Sequence, residues 1–390
     1  MRFLLIILIL VCRVSISQNL VPNPSFENYS VCPNNYGQIN RAIGWDYIYA
    51  AQAAEYFNTC SGSTDVSVPK NFFGTNYQPP HMGNAYAGIQ TLHPSGYMRG
   101  NICSQLITPL IIDNYYIVKF YVVNIQGYPY ANNNLALNFS NTVTYTLAAN
   151  TTLNLPMHIY KFGNPVIIDT LNWTEIMGIY KANGTEQYIT IGNFKDNTNT
   201  KIDTTNYGFI GNAAYYQIDD VSVEPICTPF WSYRDTTLAI GQDSVLIGPA
   251  ITGLNINWYD ATNTFISNAP GIYVKPAQTT TYTAVEDFCG TTYTNTIVVT
   301  VQPTGVNEFG MTNAELRIFP NPTTGKLKFV NNNLIDTKQL QIKICDVLGR
   351  EIKQMEYKEE IDISNLENGV YFLSFYKNSQ LLIIKKVIKQ

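Results

Sequence analysis

The chain has 390 residues, 45% of them hydrophobic, with a formal net charge of −4 and three histidines. That length allows two or three domains, each with its own core. The mildly acidic balance lacks the basic footprint of a nucleic-acid ligand, so no nucleic acid is expected as a partner.

At the start, Met1-Arg2 precedes the apolar run "FLLIILILVC", which is short for a bilayer span. Ser15 and Ser17 are the small residues that suit cleavage before Gln18, so residues 1–17 read as a signal peptide. Cys12 offers a rival lipoprotein reading, but Val11 before it is not the small residue that lipidation normally requires. No later segment is apolar enough to span a membrane, so the mature chain is expected to have no transmembrane helix.

Six cysteines follow the signal, and export permits disulfides. Cys32 with Cys60 and Cys227 with Cys289 form the natural pairs, each stabilising its domain by about 3–4 kcal/mol in the chain-entropy model. Cys103 and Cys345 are read as buried, unpaired thiols. There is no C-x-x-C or Cys/His cluster to hold zinc.

Nearly everything after residue 18 alternates with period two. The clearest runs are "YYIVKFYVVNI" (115–125), "QYITIGNF" (187–194), "NTIVVTVQ" (295–302) and "QLQIKI" (339–344). Such β-branched and aromatic runs bounded by Asn, Gly and Pro predict strands. The best helical stretch is "YAAQAAEYF" (49–57), one or two turns at most. The fold class is therefore all-β, built from sandwiches.

In the front region, "PNPSFE" (22–27), Gly44-Trp45 and "YYQIDDVSVEPI" (215–226) occur in that order. Residues 19–226 resemble the jelly-roll carbohydrate-binding modules of the galactose-binding-like superfamily on these motifs. They resemble more closely an N-terminal domain of Bacteroidetes surface proteins, through Cys32-Pro33, "YFNTC" (56–60), "VPKN" (68–71) and "GNAYAG" (83–88). The resemblance implies that the two ends of the domain pair and that a structural calcium sits nearby. Its ligands would be Glu27 with Asp219 or Asp220, since hard cations take carboxylate and carbonyl oxygens. The alternative for Asp219-Asp220 is a solvated strand end without metal.

Tyr and Trp stack on sugar faces while their polar tips stay wet. Trp45, Tyr47, Tyr86, Tyr128 and Tyr130 adjoin Gly, Asn and Pro, so they are the candidate ligand contacts at the sandwich rim. Trp45 and Tyr86 could equally fill the core beneath those loops. Paired carboxylates for glycoside hydrolysis could come from Glu27, Asp46, Glu55, Asp219 and Asp220. His81 lies in a Pro- and Gly-rich loop and would need an orienting carboxylate to act as a base. With no recognisable catalytic motif, no catalytic residue is assigned and the chain is not expected to be an enzyme.

Residues 227–302 resemble an Ig-like domain, with Trp258 and Tyr282 expected inward on facing strands of a spacer. A composition break follows: residues 19–312 carry ten Lys/Arg and residues 313–390 carry twelve, so 303–313 reads as a linker. After it, "RIFPNPTTGKL" (317–327) places two prolines inside a strand-like run. Proline has no amide hydrogen for a ladder, so Pro320 and Pro322 should end a short first strand. Gly349, in "DVLGR" (346–350), is free to take a positive φ, and Gly369 opens the strand "VYFLSFY".

Residues 314–390 resemble the type A C-terminal sorting domain of the Bacteroidetes type IX secretion system. The resemblance rests on Pro320-Asn321-Pro322, Gly325, Asp346 to Arg350, Leu366, Gly369, Tyr371 and the terminal Lys385-Lys386; Cys345 departs from the usual Tyr or Phe. The residues themselves read as seven short strands in a small sandwich; the resemblance implies the secretion apparatus and a sortase-like peptidase as partners, and release or attachment to surface lipopolysaccharide. The expected function is binding or adhesion by a cell-surface or secreted protein, with carbohydrate as the candidate ligand. A glycan-active enzyme and a purely structural surface component are the alternatives.

Overall fold

The computed structural model describes residues 18–48, 54–72, 76–94, 99–143, 153–205, 211–239, 241–302, 316–331, 340–377 and 380–390. The expected signal peptide and linker lie outside the described residues. The architecture is all-β, and the one helical element described is the 3-10 turn Ile39–Arg41. The helical turn expected over 49–57 is corrected: Ala54–Asn58 is a strand, buried throughout, and Tyr49 lies outside the described residues. Pairing with Ala85–Leu92 overrides its local preference. Contacts divide the chain into two compact units, 1–301 and 302–390.

Two stacked sheets form the front of the first unit. One runs in the order Trp45–Tyr47, Ile102–Gln105, Tyr188–Asn193, Leu135–Ser140 and Ile159–Tyr160. The other runs Thr174–Lys181, Tyr115–Asn124, Ala214–Pro225, Ala85–Leu92 and Ala54–Asn58, with two short strands off this path. Alternation places Tyr116, Val118, Phe120 and Val122 inward against Ile189, Ile191, Leu137 and Phe139. The ends of the domain pair as expected: Leu20 N–H donates to Val223 O at 2.8 Å, and Val221 N–H to Pro24 O at 2.9 Å. Asn19 completes the seam, its Nδ2 donating to Val221 O and its Oδ1 accepting from Val223 N–H.

The Ig-like part pairs a five-stranded sheet with a two-stranded antiparallel sheet of Val245–Ile247 and Ile272–Val274. Trp258 is fully buried and Tyr282 nearly so, both in one core. They stand on adjacent strands of one sheet, a correction to their expected place on facing strands. This core does not stop at residue 227. Ile179 belongs to it, and Tyr115, Ile117 and Met177, from the outer face of the seven-stranded sheet, pack against it. Ile179 N–H donates to Thr252 O at 2.8 Å, and Thr252 Oγ1 donates to Tyr160 O at 3.1 Å. The approach needs glycine: a Cβ on Gly253, at φ +84°, would lie 1.7 Å from Ile179 O.

Both expected disulfides are present, Cys32–Cys60 and Cys227–Cys289. Cys103 is a buried free thiol as expected, whereas Cys345 is only partly buried, on a strand position facing away from the core. The second unit holds seven strands among its described residues, in sheets of three and four. The first, Leu316–Phe319, stops just before Pro320. Asn321 explains the triplet. Its amide Nδ2 donates to Lys386 O at 2.8 Å and its Oδ1 accepts from Ile388 N–H at 2.9 Å. One side chain thus imitates a ladder partner for the edge of the last strand, and Thr323 continues the pairing with Ile388 and Gln390. Tyr371 faces the core, and its hydroxyl donates to Glu367 O at 2.9 Å.

Candidate functional site

The outer face of the five-stranded sheet of the front sandwich is polar yet buried. Alternation puts Asn138, Thr190 and Cys103 side by side there, at 2%, 3% and 3% exposure. Asn101 lies over Gly192, where a Cβ would meet its Oδ1 at 1.9 Å. Asn138 Nδ2 donates to Pro156 O at 2.9 Å, so the chain after residue 153 roofs part of this face. The Oδ1 atoms of Asn101 and Asn138 and Nη1 of Arg99 are buried without a partner within the protein. Buried polar atoms are nearly always bonded to protein, water or ligand, so these positions beneath the surface suit ordered water.

A cleft of about 580 Å³ opens at each end of this face. One is lined by Asp46, Gln105, Asn141, Gln187 and Tyr188, and the other by Asn134, Asn154, Tyr160, Asn164, Lys195 and Asp196. The strand Tyr188–Asn193 between them covers roughly 17 Å at its normal rise. The second cleft is held rigidly. Asn134 N–H donates to Asn164 Oδ1 at 2.9 Å, and Asn164 Nδ2 returns a bond to Asn134 Oδ1 at 2.7 Å. Asn134 and Asn164 both take positive φ, 64° and 47°, which asparagine tolerates better than most residues. Hydrogen bonds from Thr198 and Asn199 hold the Asp196 carboxyl below the usual carboxylate range. Burial lowers Arg99 to about 10 against the pull of Asp196, leaving the guanidinium charged at neutral pH.

The aromatic residues singled out in the sequence are not gathered into one site. Trp45 is buried against Phe26, and its Nε1–H donates to Asn23 O at 2.8 Å. It also lines the first cleft. Tyr86 is fully buried, its hydroxyl donating to Gln78 O and accepting from Asn71 Nδ2, so it is a core residue and its expected ligand role is corrected. Tyr47 and Tyr130 are half-buried against the main core. Tyr128 stacks on Tyr215 at 5.7 Å in a satellite core with Phe72. Sequence reasoning missed Asn134, Tyr160, Asn164 and Asp196. A signal existed in the Asn- and Thr-rich loops "ANNN" (131–134) and "KDNTNT" (195–200).

Glu27, Asp219 and Asp220 do converge, but on the loop 81–85. Glu27 Oε1 accepts the N–H groups of Asn84 and Ala85 at 2.7 and 3.1 Å. Asp219 Oδ2 accepts those of His81 and Met82 at 2.8 and 3.2 Å, and its Oδ1 accepts Asp220 N–H. Calcium needs six to eight oxygens, whereas this loop turns N–H donors towards the carboxylates. The residues do not fit calcium. No group of three metal-ligating acidic, His or Cys side chains occurs among the described residues.

His81 has the orienting carboxylate the sequence could not identify. Its Nδ1 pairs with Asp220 Oδ2, and Ser25 Oγ donates to Asp220 Oδ1. The imidazole stacks on Tyr121 at 3.8 Å, and Tyr121 donates to Glu175 Oε1 at 2.9 Å. Asp220 takes φ 47° at an irregularity in the register with Tyr115–Asn124, a backbone outlier of the kind found at functional sites.

With the geometry described, comparison with known proteins identifies the C-terminal part. Residues 317–390 match the family of secretion system C-terminal sorting domains. The protein therefore carries a type IX export signal, directing it to the cell surface or extracellular space. No curated protein sequence matches the chain. Among solved structures, it is similar to the CBM22-1 xylan-binding domain of Paenibacillus barcinonensis Xyn10C, with a TM-score of 0.28, 10% identity, and 55% of this chain and 97% of that one covered. It is also similar to TmCBM61 in complex with β-1,4-galactotriose, with a TM-score of 0.25, 13% identity, and 54% and 100% covered. For the adhesin domain of Epf from Streptococcus pyogenes the TM-score is 0.24, with 10% identity and 67% and 92% covered.

Proposed function

We propose that this exported protein binds glycan at the outer face of the five-stranded sheet of its front sandwich, and so serves in recognition or adhesion outside the cell. The observation that carries this reading is the Asn134–Asn164 cleft. Fixed amides, the Asp196 carboxylate, Lys195 and the half-exposed Tyr160 ring converge there on one opening. Sugars present alternating hydroxyls, which are donors and acceptors at once, above an apolar ring face. Amides and a carboxylate answer the hydroxyls, and tyrosine answers the ring. Groups already locked in place lose little freedom on binding.

The secretion apparatus handles the chain through its last domain, so glycan recognition is a task of the first unit. Depletion of a panel of soluble plant and microbial polysaccharides by the mature chain tests this. Retention of at least one polysaccharide, without release of reducing ends, is expected. No retention across the panel would remove the reading.

The His81–Asp220 pair favours a second reading, a hydrolytic site on the outer side of the seven-stranded sheet. A carboxylate-oriented imidazole is the usual equipment of a general base. New reducing ends from the wild type, absent with His81→Gln, would support that reading instead.

A further inference from the structure

We propose that the Val347-Leu348 tip of the sorting domain is the surface that the outer-membrane secretion apparatus grips. The residues that mark this domain in the sequence divide into two physical groups. Most are engaged within the fold. Asn321 pairs with the last strand, Tyr371 lies in the core and bonds Glu367, and Gly325 sits so close to Ser364 that a Cβ would approach it to 2.6 Å.

The "DVLGR" turn is built with the same economy. Asp346 Oδ1 accepts the N–H groups of Leu348 and Arg350, both at 2.9 Å. Its Oδ2 accepts from Arg350 Nε at 2.7 Å, and its backbone pairs with Arg350 and Gly349. Gly349, at φ +77° with open space around it, supplies the left-handed residue that closes the turn. Every polar group named here acts to hold the loop.

What the loop holds out is apolar. Val347 is 65% exposed and Leu348 76%, more than any other large apolar side chain described in this unit. Ile352, at 44%, adds apolar surface on the strand that leaves the tip. Single exposed apolar residues are common and need no explanation. A rigid turn that fixes two adjacent ones outward is different, because nothing in the turn's own hydrogen bonding requires valine or leucine. A preformed apolar knob loses little entropy on entering a hydrophobic cup, which suits recognition of a folded cargo. The domain's assignment as a secretion sorting signal names the partner.

The test is export of the full chain from a type IX-secreting bacterium. The double variant Val347→Asp/Leu348→Asp should lower the extracellular amount at least about tenfold and leave protein in the periplasm. Its purified form should melt at the wild-type temperature, because both side chains are already in water. Gly349→Ala keeps the apolar pair but distorts the turn, and should reduce export by less. Val330→Asp, which adds one negative charge at a 39% exposed position elsewhere in the unit, should export normally. Wild-type export of the double variant overturns the proposal. So does equal loss with Val330→Asp, or a lowered melting temperature in the double variant, since each makes the effect one of folding or general charge.

Discussion

The two outward faces of the front sandwich have opposite fates. On the seven-stranded sheet, Tyr115, Ile117, Met177 and Ile179 present an apolar surface that the Ig-like part covers, with glycines bringing the two backbones together. On the five-stranded sheet, Asn138, Thr190 and Asn101 present a buried polar surface whose amide oxygens lack partners, flanked by open clefts. Apolar groups need only exclude water, so any well-fitting neighbour satisfies them. Amide groups need specific partners, so a polar face suits a ligand rich in hydroxyls where its clefts open to solvent. One face is covered by apolar packing, and the other is polar with open clefts beside it.

The covered face can be broken most severely at its staple. Replacing Cys227 and Cys289 with serine should destabilise the first unit by about 4 kcal/mol, read by urea unfolding. An unchanged midpoint would show that packing alone seats the Ig-like part. Gly253→Ala should come next, at roughly 3 kcal/mol, because it combines left-handed strain with a clash against Ile179 O. Gly241→Ala isolates the strain. Gly241 has a similar φ of +82° but open space around it, so only about 1 kcal/mol should be lost. Equal losses at the two glycines would mean that the close approach contributes nothing.

A pH scan sharpens the account of the buried acids. Burial pushes Glu55 up to about 8, against the Tyr215 hydrogen bond that favours its charged form. Burial and then the Asp220 charge push Asp219 up to about 8, against N–H donors from Asp220, Met82 and His81. An unfolded carboxyl titrates near pH 4, so both groups hold a proton more tightly when folded. Their contribution is fully present below about pH 4 and is lost as pH rises towards about 8. Melting temperature should therefore fall from about pH 5 to about pH 8, corresponding to a few kcal/mol. Glu55→Gln should flatten part of that slope, and an unchanged slope would assign it to other groups. The smallest effect concerns calcium. Because N–H groups already occupy the Glu27 and Asp219 oxygens, chelator and added calcium should each move the melting temperature by less than about 1 °C. A larger rise with calcium would restore the metal site.

Much of the frame was legible from alternation. The runs at 115–125, 187–194 and 339–344 became Tyr115–Asn124, Tyr188–Asn193 and Leu340–Cys345 almost residue for residue. Pro320 marked a strand end because its chemistry is local, and the cysteine pairs followed from their order. The site was less legible because its residues come from separate loops. Asn134, Tyr160, Asn164 and Asp196 meet only through strand pairing, and period-two patterning does not say which loops share an end of a sandwich. Aromatic content misled for a related reason. Tyr86 adjoins glycine and asparagine as a rim residue would, yet its strand runs through the middle of a sheet. The two Pro-Asn-Pro triplets make the same point. Asn23 ties down a local turn through Asn28 and Ile43, whereas Asn321 reaches the far end of its domain.

Under the proposed function, the polar face of the five-stranded sheet holds the ligand. Calorimetric titration of the mature chain with a retained polysaccharide, comparing two double variants, tests it most directly. Asn154→Gly/Tyr160→Ala removes exposed or half-exposed cleft groups, with glycine keeping the φ of +36° at residue 154, and should weaken binding at least about tenfold with an unchanged melting temperature. Tyr128→Ala/Tyr130→Ala removes packing instead and should lower the melting temperature while the folded protein binds normally. Full affinity in the first variant, with loss of binding but not of stability in the second, would contradict the account.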